Sequence, residues 1–185
     1  MLSFESQAER ASRYTWTGDD DVQLLERGDG ESFDILEMLG PARATDSDGP
    51  TADTRTVHGL DLVVETPKGE LRRGDGWAVR MAADYGYIKG VEGADGDSLD
   101  CYIGPESNGW VYVIDQRRLP GEGVGFDEHK VMINFPSASD ALRAYSKSHH
   151  SSREVFMDWT PMPVAAFKEW VERADLTKPC GDVKL

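Results

Sequence analysis

From residue 58 onward the chain alternates short apolar runs with Gly, Pro and Asp at close, regular spacing. The runs are LDLVVE (60–65), GELRR (69–73), WAVRM (77–81), LDCYIG (99–104), WVYVID (110–115) and KVMINF (130–135). Their length and their β-branched and aromatic content predict strands. The second and third are joined by Gly74-Asp75-Gly76, which predicts a hairpin. After Pro136 the period lengthens: Ala138, Ala141, Leu142 and Tyr145 share one helical face behind the capping candidates Ser137 and Ser139. A last helix is expected from Thr160-Pro161 to about Arg173, with Val164, Phe167, Trp170 and Val171 on one side. Six strands followed by two helices predict a small α+β domain, most simply a barrel with helices packed against it.

Residues 1–57 read differently. They hold 13 acidic residues against 5 arginines, and the stretch ARATDSDGPTADTRT is short, polar and broken by Gly-Pro. That composition reads as an acidic arm and linker. Two apolar patches, Phe33/Ile35/Leu36/Met38/Leu39 and Val22/Leu24/Leu25, leave room for a docking helix, and a disordered tail is the plain alternative. The expected division is therefore an arm over 1–57 and a folded domain over 58–185. Arg-Gly-Asp occurs at 27–29 and 73–75, each followed by Gly, and is read as tight turns.

Charge narrows the function. Of 185 residues, 34 are Asp or Glu and 20 are Lys or Arg, a formal net charge of −14. Such a surface repels phosphate backbones and anionic lipid, so neither nucleic acid nor membrane is an expected partner. No apolar run approaches the roughly 20 residues of a spanning helix. The start, MLSFESQAER, lacks the pattern of a secretory signal, so a cytoplasmic location is expected. Cys101 and Cys180 make neither a metal-spaced pair nor a disulfide framework.

Acidic clusters attract divalent cations, and one such cluster stands out. Asp95, Asp97 and Asp100 lie within six residues, interleaved with glycine, just before an apolar run. Their repulsion is relieved by a hard cation such as Mg²⁺ or Ca²⁺, or by solvent if the segment is only a polar surface loop. An EF-hand starting at Asp95 would need Asp or Asn where Leu99 stands and Gly where Asp100 stands, so Glu106 at the twelfth position does not rescue it. An aspartyl-nucleophile phosphatase would place Asp-x-Asp directly after a buried strand, whereas Gly-Val-Glu-Gly-Ala precedes Asp95.

The run Asp95-Gly96-Asp97-Ser98-Leu99-Asp100-Cys101 resembles the signature Asp-x-Asp-Pro-apolar-Asp-apolar of family I soluble inorganic pyrophosphatases, with Ser98 where Pro is usual. Tyr85-Gly86-Tyr87-Ile88 upstream, Val64-Glu65-Thr66-Pro67 further upstream, and Phe126-Asp127-Glu128-His129-Lys130 downstream are similar to the family's other motifs, in the same order. The resemblance covers roughly residues 60–135 and is closest to the compact pyrophosphatase-like domain of phage and prophage proteins. It implies a five-stranded OB-like barrel with flanking helices and Mg²⁺-dependent hydrolysis of pyrophosphate. By that resemblance Asp95, Asp100 and Asp127 would hold Mg²⁺, and Asp97 would orient or deprotonate the attacking water. Asp115 would match a further metal-binding Asp, and Glu65 a carboxylate behind the first metal or at a second. Arg72, Arg80, Tyr85 and Lys130 would grip phosphate, and Tyr145 with Lys147 would stand for the family's C-terminal Tyr-Lys pair.

Three further departures are visible. The hairpin carrying the arginines is shortened, Ser146 interrupts the Tyr-Lys pair, and Lys130 follows Asp127 by three residues rather than two. His129 is read as a hydrogen-bonding residue of a strand opening. His149 and His150 are adjacent, lack the i, i+4 spacing of paired ligands, and are read as loop. A different class of function is an interaction module: a homo-oligomer, or a phage assembly protein docked through residues 1–57, that keeps the barrel with weak or no catalysis.

Overall fold

A computed structural model of the chain describes residues 53–182, residue 75 excepted. The arm's apolar patches and the first Arg-Gly-Asp lie outside the described residues. The strands are β1 (Asp53–Val57), β2 (Leu60–Thr66), β3 (Leu71–Gly74), β4 (Trp77–Arg80), β5 (Asp84–Glu92), β6 (Ser98–Ile103), β7 (Trp110–Arg117), β8 (Phe126–Ile133) and β9 (Phe156–Pro163). The helices are α1 (Ala138–Ser148), α2 (Ser152–Val155) and α3 (Val164–Arg173), followed by a 3₁₀ turn at Cys180–Asp182. Seven strands form one sheet in the order β1-β2-β5-β6-β8-β7-β9, and β3 and β4 make a separate hairpin. Every ladder of the large sheet is antiparallel except β6–β8.

Side chains alternate across a strand, so each run feeds two faces. On one face Leu62, Ile88, Leu99, Cys101, Val113 and Val131 pack with Phe167 and Trp170 of α3. On the other, Tyr85, Tyr102, Tyr112, Ile114 and Met132 pack with Ala141, Ala144 and Tyr145 of α1. Each fully buried large apolar side chain contributes on the order of 2–3 kcal/mol. Helix α1 starts where the sequence indicates: the Ser137 hydroxyl accepts from the Asp140 N–H at 3.1 Å and donates to the Asp140 carboxylate at 2.6 Å.

Three expectations are corrected. Residues 53–57, read as the end of a linker, form β1 and pair with β2 along their whole length. The last helix begins at Val164 rather than at Thr160-Pro161, because residues 156–163 pair with β7. Pro161 and Pro163 sit in that strand because it is the sheet's edge, where a missing N–H costs no ladder bond. Among the described residues no ladder joins β1 to β9, so the sheet is open where a closed barrel was expected. The fold is α+β, and no helix among the described residues is long and apolar enough to cross a membrane.

Candidate active site

The parallel ladder β6–β8 sets the site. Its register, Cys101 with Val131, brings Asp100 and Lys130 side by side on the face that carries α1. The Lys130 ammonium donates to Asp100 Oδ2 and, at 2.6 Å, to Glu128 Oε2. The Tyr85 hydroxyl donates to the same Asp100 oxygen at 2.6 Å. Lys130 is 5 % exposed at its side chain, while Asp100 and Glu128 keep 22 % and 23 %, so the carboxylates open toward solvent and the ammonium lies beneath.

Tyr85 reaches this point because β5 lies close against β2. A Cβ on Gly86 would come within 1.8 Å of the Val63 carbonyl oxygen, so the Gly of Tyr-Gly-Tyr is a steric requirement. Glu65 is the extra residue in the β2 ladder, between the pairs Val64–Gly86 and Thr66–Tyr85. Such a bulge re-aims a side chain. Burial, then the Asp100 charge, holds the Glu65 carboxyl above the usual range against the pull of Arg72. Glu128 is raised too, by burial first, with Asp100 and Asp95 adding to it and Lys130 opposing.

Arg72 comes from the hairpin. Its guanidinium lies 4.2 Å from the Tyr85 ring centroid and 5.5 Å from that of Trp77. Rings hold a guanidinium while leaving its N–H fork in plane for an anion. Among the described residues no carboxylate pairs with it at salt-bridge distance.

The acidic loop folds on itself: the Gly93 N–H bonds the Asp97 carbonyl at 2.7 Å, and Asp95 Oδ1 accepts from the Asp97 N–H at 3.1 Å. Gly96, at φ 88°, makes the turn. Asp95 and Asp97 are exposed at its tip.

Two expected residues are placed elsewhere, and a third stands at a break in its strand. Asp127 lies in a bulge of β8: the ladder to β7 shifts register between Phe126 and His129, Phe126 packs on the His129 ring at 4.6 Å, and the Asp127 carboxylate lies 3.7 Å from Arg118 Nε. Asp115 is 1 % exposed on the α3 face, where Oδ1 lies 2.8 Å from His129 Nδ1 and both oxygens accept from the Cys180 N–H at 3.1 Å. Its carboxylate is used up inside the core. In the hairpin Arg80 pairs with Leu71 and Arg72 with Val79, so the two arginines point to opposite faces. Arg80 donates to the Gly69 carbonyl at 2.5 Å. Tyr145 stays on the site's side but is buried, its oxygen accepting from Gln116 Nε2 at 2.6 Å.

Glu128 is the residue the sequence reading missed. It stands two residues before Lys130, the separation that puts two side chains on one strand face. The spacing of two sought between acid and lysine is therefore present, at Glu128 rather than Asp127.

The donor set suits a hard divalent ion: carboxylate oxygens only, with Glu65 and Glu128 raised partly by neighbouring charge of their own sign. Among the described residues no three such groups converge on a metal-sized point. Between Asp100 and Glu128 the positive partner is Lys130.

A family model, Inorganic Pyrophosphatase, matches residues 46–172, a span that takes in every residue of the site. No curated protein and no solved structure matches the chain. Matched over more than half its length, and carrying its acidic loop and its Tyr85–Asp100–Lys130 contact within the matched span, the chain belongs to the inorganic pyrophosphatase family.

Proposed function

We propose that the protein hydrolyses inorganic pyrophosphate to two phosphates with Mg²⁺, as an enzyme of the family I type. The observation that carries this reading is the grouping of Asp100, Glu128, Lys130 and Tyr85 beneath Arg72, which no carboxylate among the described residues meets at salt-bridge distance. Asp100 and Glu128, joined through Lys130, would hold the metal, with Asp95, Asp127 and Glu65 as the further carboxylates that the resemblance offers. When bound, Mg²⁺ lowers the pKa of a coordinated water and neutralises phosphate oxygens.

The chain's own groups do the rest. Arg72 offers a bidentate fork to a terminal phosphoryl group, and Lys130 supplies positive charge where leaving oxygens gather negative charge. Asp97, exposed at the loop tip, accepts the proton of the attacking water. The water oxygen forms the new P–O bond, the bridging P–O bond breaks, and the departing phosphate leaves with the former bridging oxygen.

Phosphate release from pyrophosphate is the test, with and without Mg²⁺, in wild type and Asp97→Asn. Metal-dependent release that falls at least a hundredfold in the mutant is expected, in line with the loss of a positioned general base. Release at the wild-type rate in Asp97→Asn, with the fold intact, would remove the role given to that carboxylate.

A further inference from the structure

Beside the site, rings from two distant segments form a row. Trp77 of β4 stacks on His150 with centroids 4.3 Å apart and planes 8° from parallel. His150 stacks in turn on His149 at 5.2 Å and 9°, and His149 lies 5.6 Å from the Tyr145 ring. The histidines occupy the turn between α1 and α2, which the hairpin thus meets through its tryptophan.

His149 is fixed at one nitrogen. Its Nδ1 accepts from the Ser151 N–H at 3.2 Å, which requires a lone pair there and places the ring proton on Nε2. Nε2 has no hydrogen-bond partner among the described residues. Burial first, then Lys130, His150 and Arg72, suppress protonation of the ring, with Asp100 pulling the other way, so His149 titrates only at about 3. The ring is therefore a neutral donor, joined through His150 and Trp77 to the hairpin whose Arg72 lies over that tryptophan. Lys147, which the sequence reading put beside Tyr145 as a phosphate grip, is exposed on α1.

We infer that His149 contacts the substrate, its Nε2–H donating to a phosphoryl oxygen of the group gripped by Arg72 and Lys130. The inference rests on the pyrophosphatase reading above for the substrate, and on the ring row for the geometry. An uncharged donor adds a hydrogen bond to the anion without adding repulsion to two neighbouring cations. The row also ties His149 to the hairpin that carries Arg72, so the two grips are set together.

The experiment separates binding from turnover. Inorganic phosphate is titrated into the full chain labelled with ¹⁵N-histidine, following the His149 Nε2 signal, and affinity is measured by calorimetry for wild type, His149→Phe and His149→Gln. His149→Phe keeps a stacked ring without the donor, and His149→Gln keeps a donor without the ring. A phosphate-dependent shift at Nε2 is expected, with about tenfold weaker phosphate binding and a similar rise in KM for pyrophosphate in His149→Phe, and recovery to within about threefold in His149→Gln. No shift at Nε2, or wild-type affinity in His149→Phe, overturns the inference, as does a His149→Gln variant as weak as His149→Phe. A wild-type protein that binds phosphate with that shift but releases none from pyrophosphate leaves the His149 contact standing and removes the catalytic reading.

Discussion

At the scale of single residues, Lys130 carries the most charge balance. Its ammonium, nearly buried, is shared by Asp100 and Glu128. Replacing it with an apolar side chain leaves two close carboxylates facing each other. Removing one partner of a fully buried pair costs about 3–5 kcal/mol, and the partial exposure of these acids reduces that. Lys130→Met is expected to lose about 2 kcal/mol in urea unfolding without divalent metal, and to regain part of it when Mg²⁺ is added. Equal stability of mutant and wild type in metal-free buffer would mean the lysine offsets nothing.

His149 gives a pH dependence of known sign. Its folded-state value, about 3, lies below the ordinary histidine value of 6.5, so the unfolded chain takes up the proton first as pH falls. Its contribution is whole above 6.5 and is lost progressively toward 3, amounting to about 2 kcal/mol by pH 5. Between pH 7.5 and 5, His149→Gln should lose less stability than wild type by that amount in paired urea titrations. Parallel losses in the two proteins would contradict the buried neutral ring.

At the scale of elements, the contact of β2 with β5 has no slack. A methyl group at position 86 would meet the Val63 carbonyl, which belongs to backbone and cannot swing aside. Gly86→Ala should cost about 3 kcal/mol or more and separate Tyr85 from Asp100, so thermal stability and phosphate release should fall together. A variant with wild-type melting temperature would show that the strands can part cheaply. Here the sequence was only half legible. Tyr-Gly-Tyr-Ile reads as a motif, but glycines at 86, 90 and 93 break the apolar pattern that would mark its strand. Strand β9 was misread for a different reason: Thr-Pro is an ordinary helix start, and only pairing to β7 overrides it.

At the scale of the molecule, the sheet separates two jobs. One face carries Asp100, Glu128, Lys130 and Tyr85 of the site and packs on α1, while the other builds the core against α3. Asp115 falls on the second face, where it joins β7 to His129 and to the turn at Cys180. Asp115→Ala would leave a buried imidazole and a buried N–H unpaired, at about 1–3 kcal/mol each. It should lower the melting temperature while leaving the Mg²⁺ concentration for half-maximal activity unchanged. A shift in that concentration at intact stability would return Asp115 to the metal site.

The sequence alone determined the order of most strands, the start of α1, the acidic loop and the family, because these rest on local periodicity, capping and contiguous motifs. It did not determine which acids and bases face one another. His129 and Lys130 are neighbours in sequence, yet they lie on opposite sides of the sheet. Which member meets Asp100 depends on the register of β8 against β6, set by side chains 30 residues apart in sequence. Likewise His149 and His150 carry no local signal; they enter the site because a tryptophan on a distant hairpin stacks against them. Local rules choose elements, and tertiary register decides which of their faces share a site.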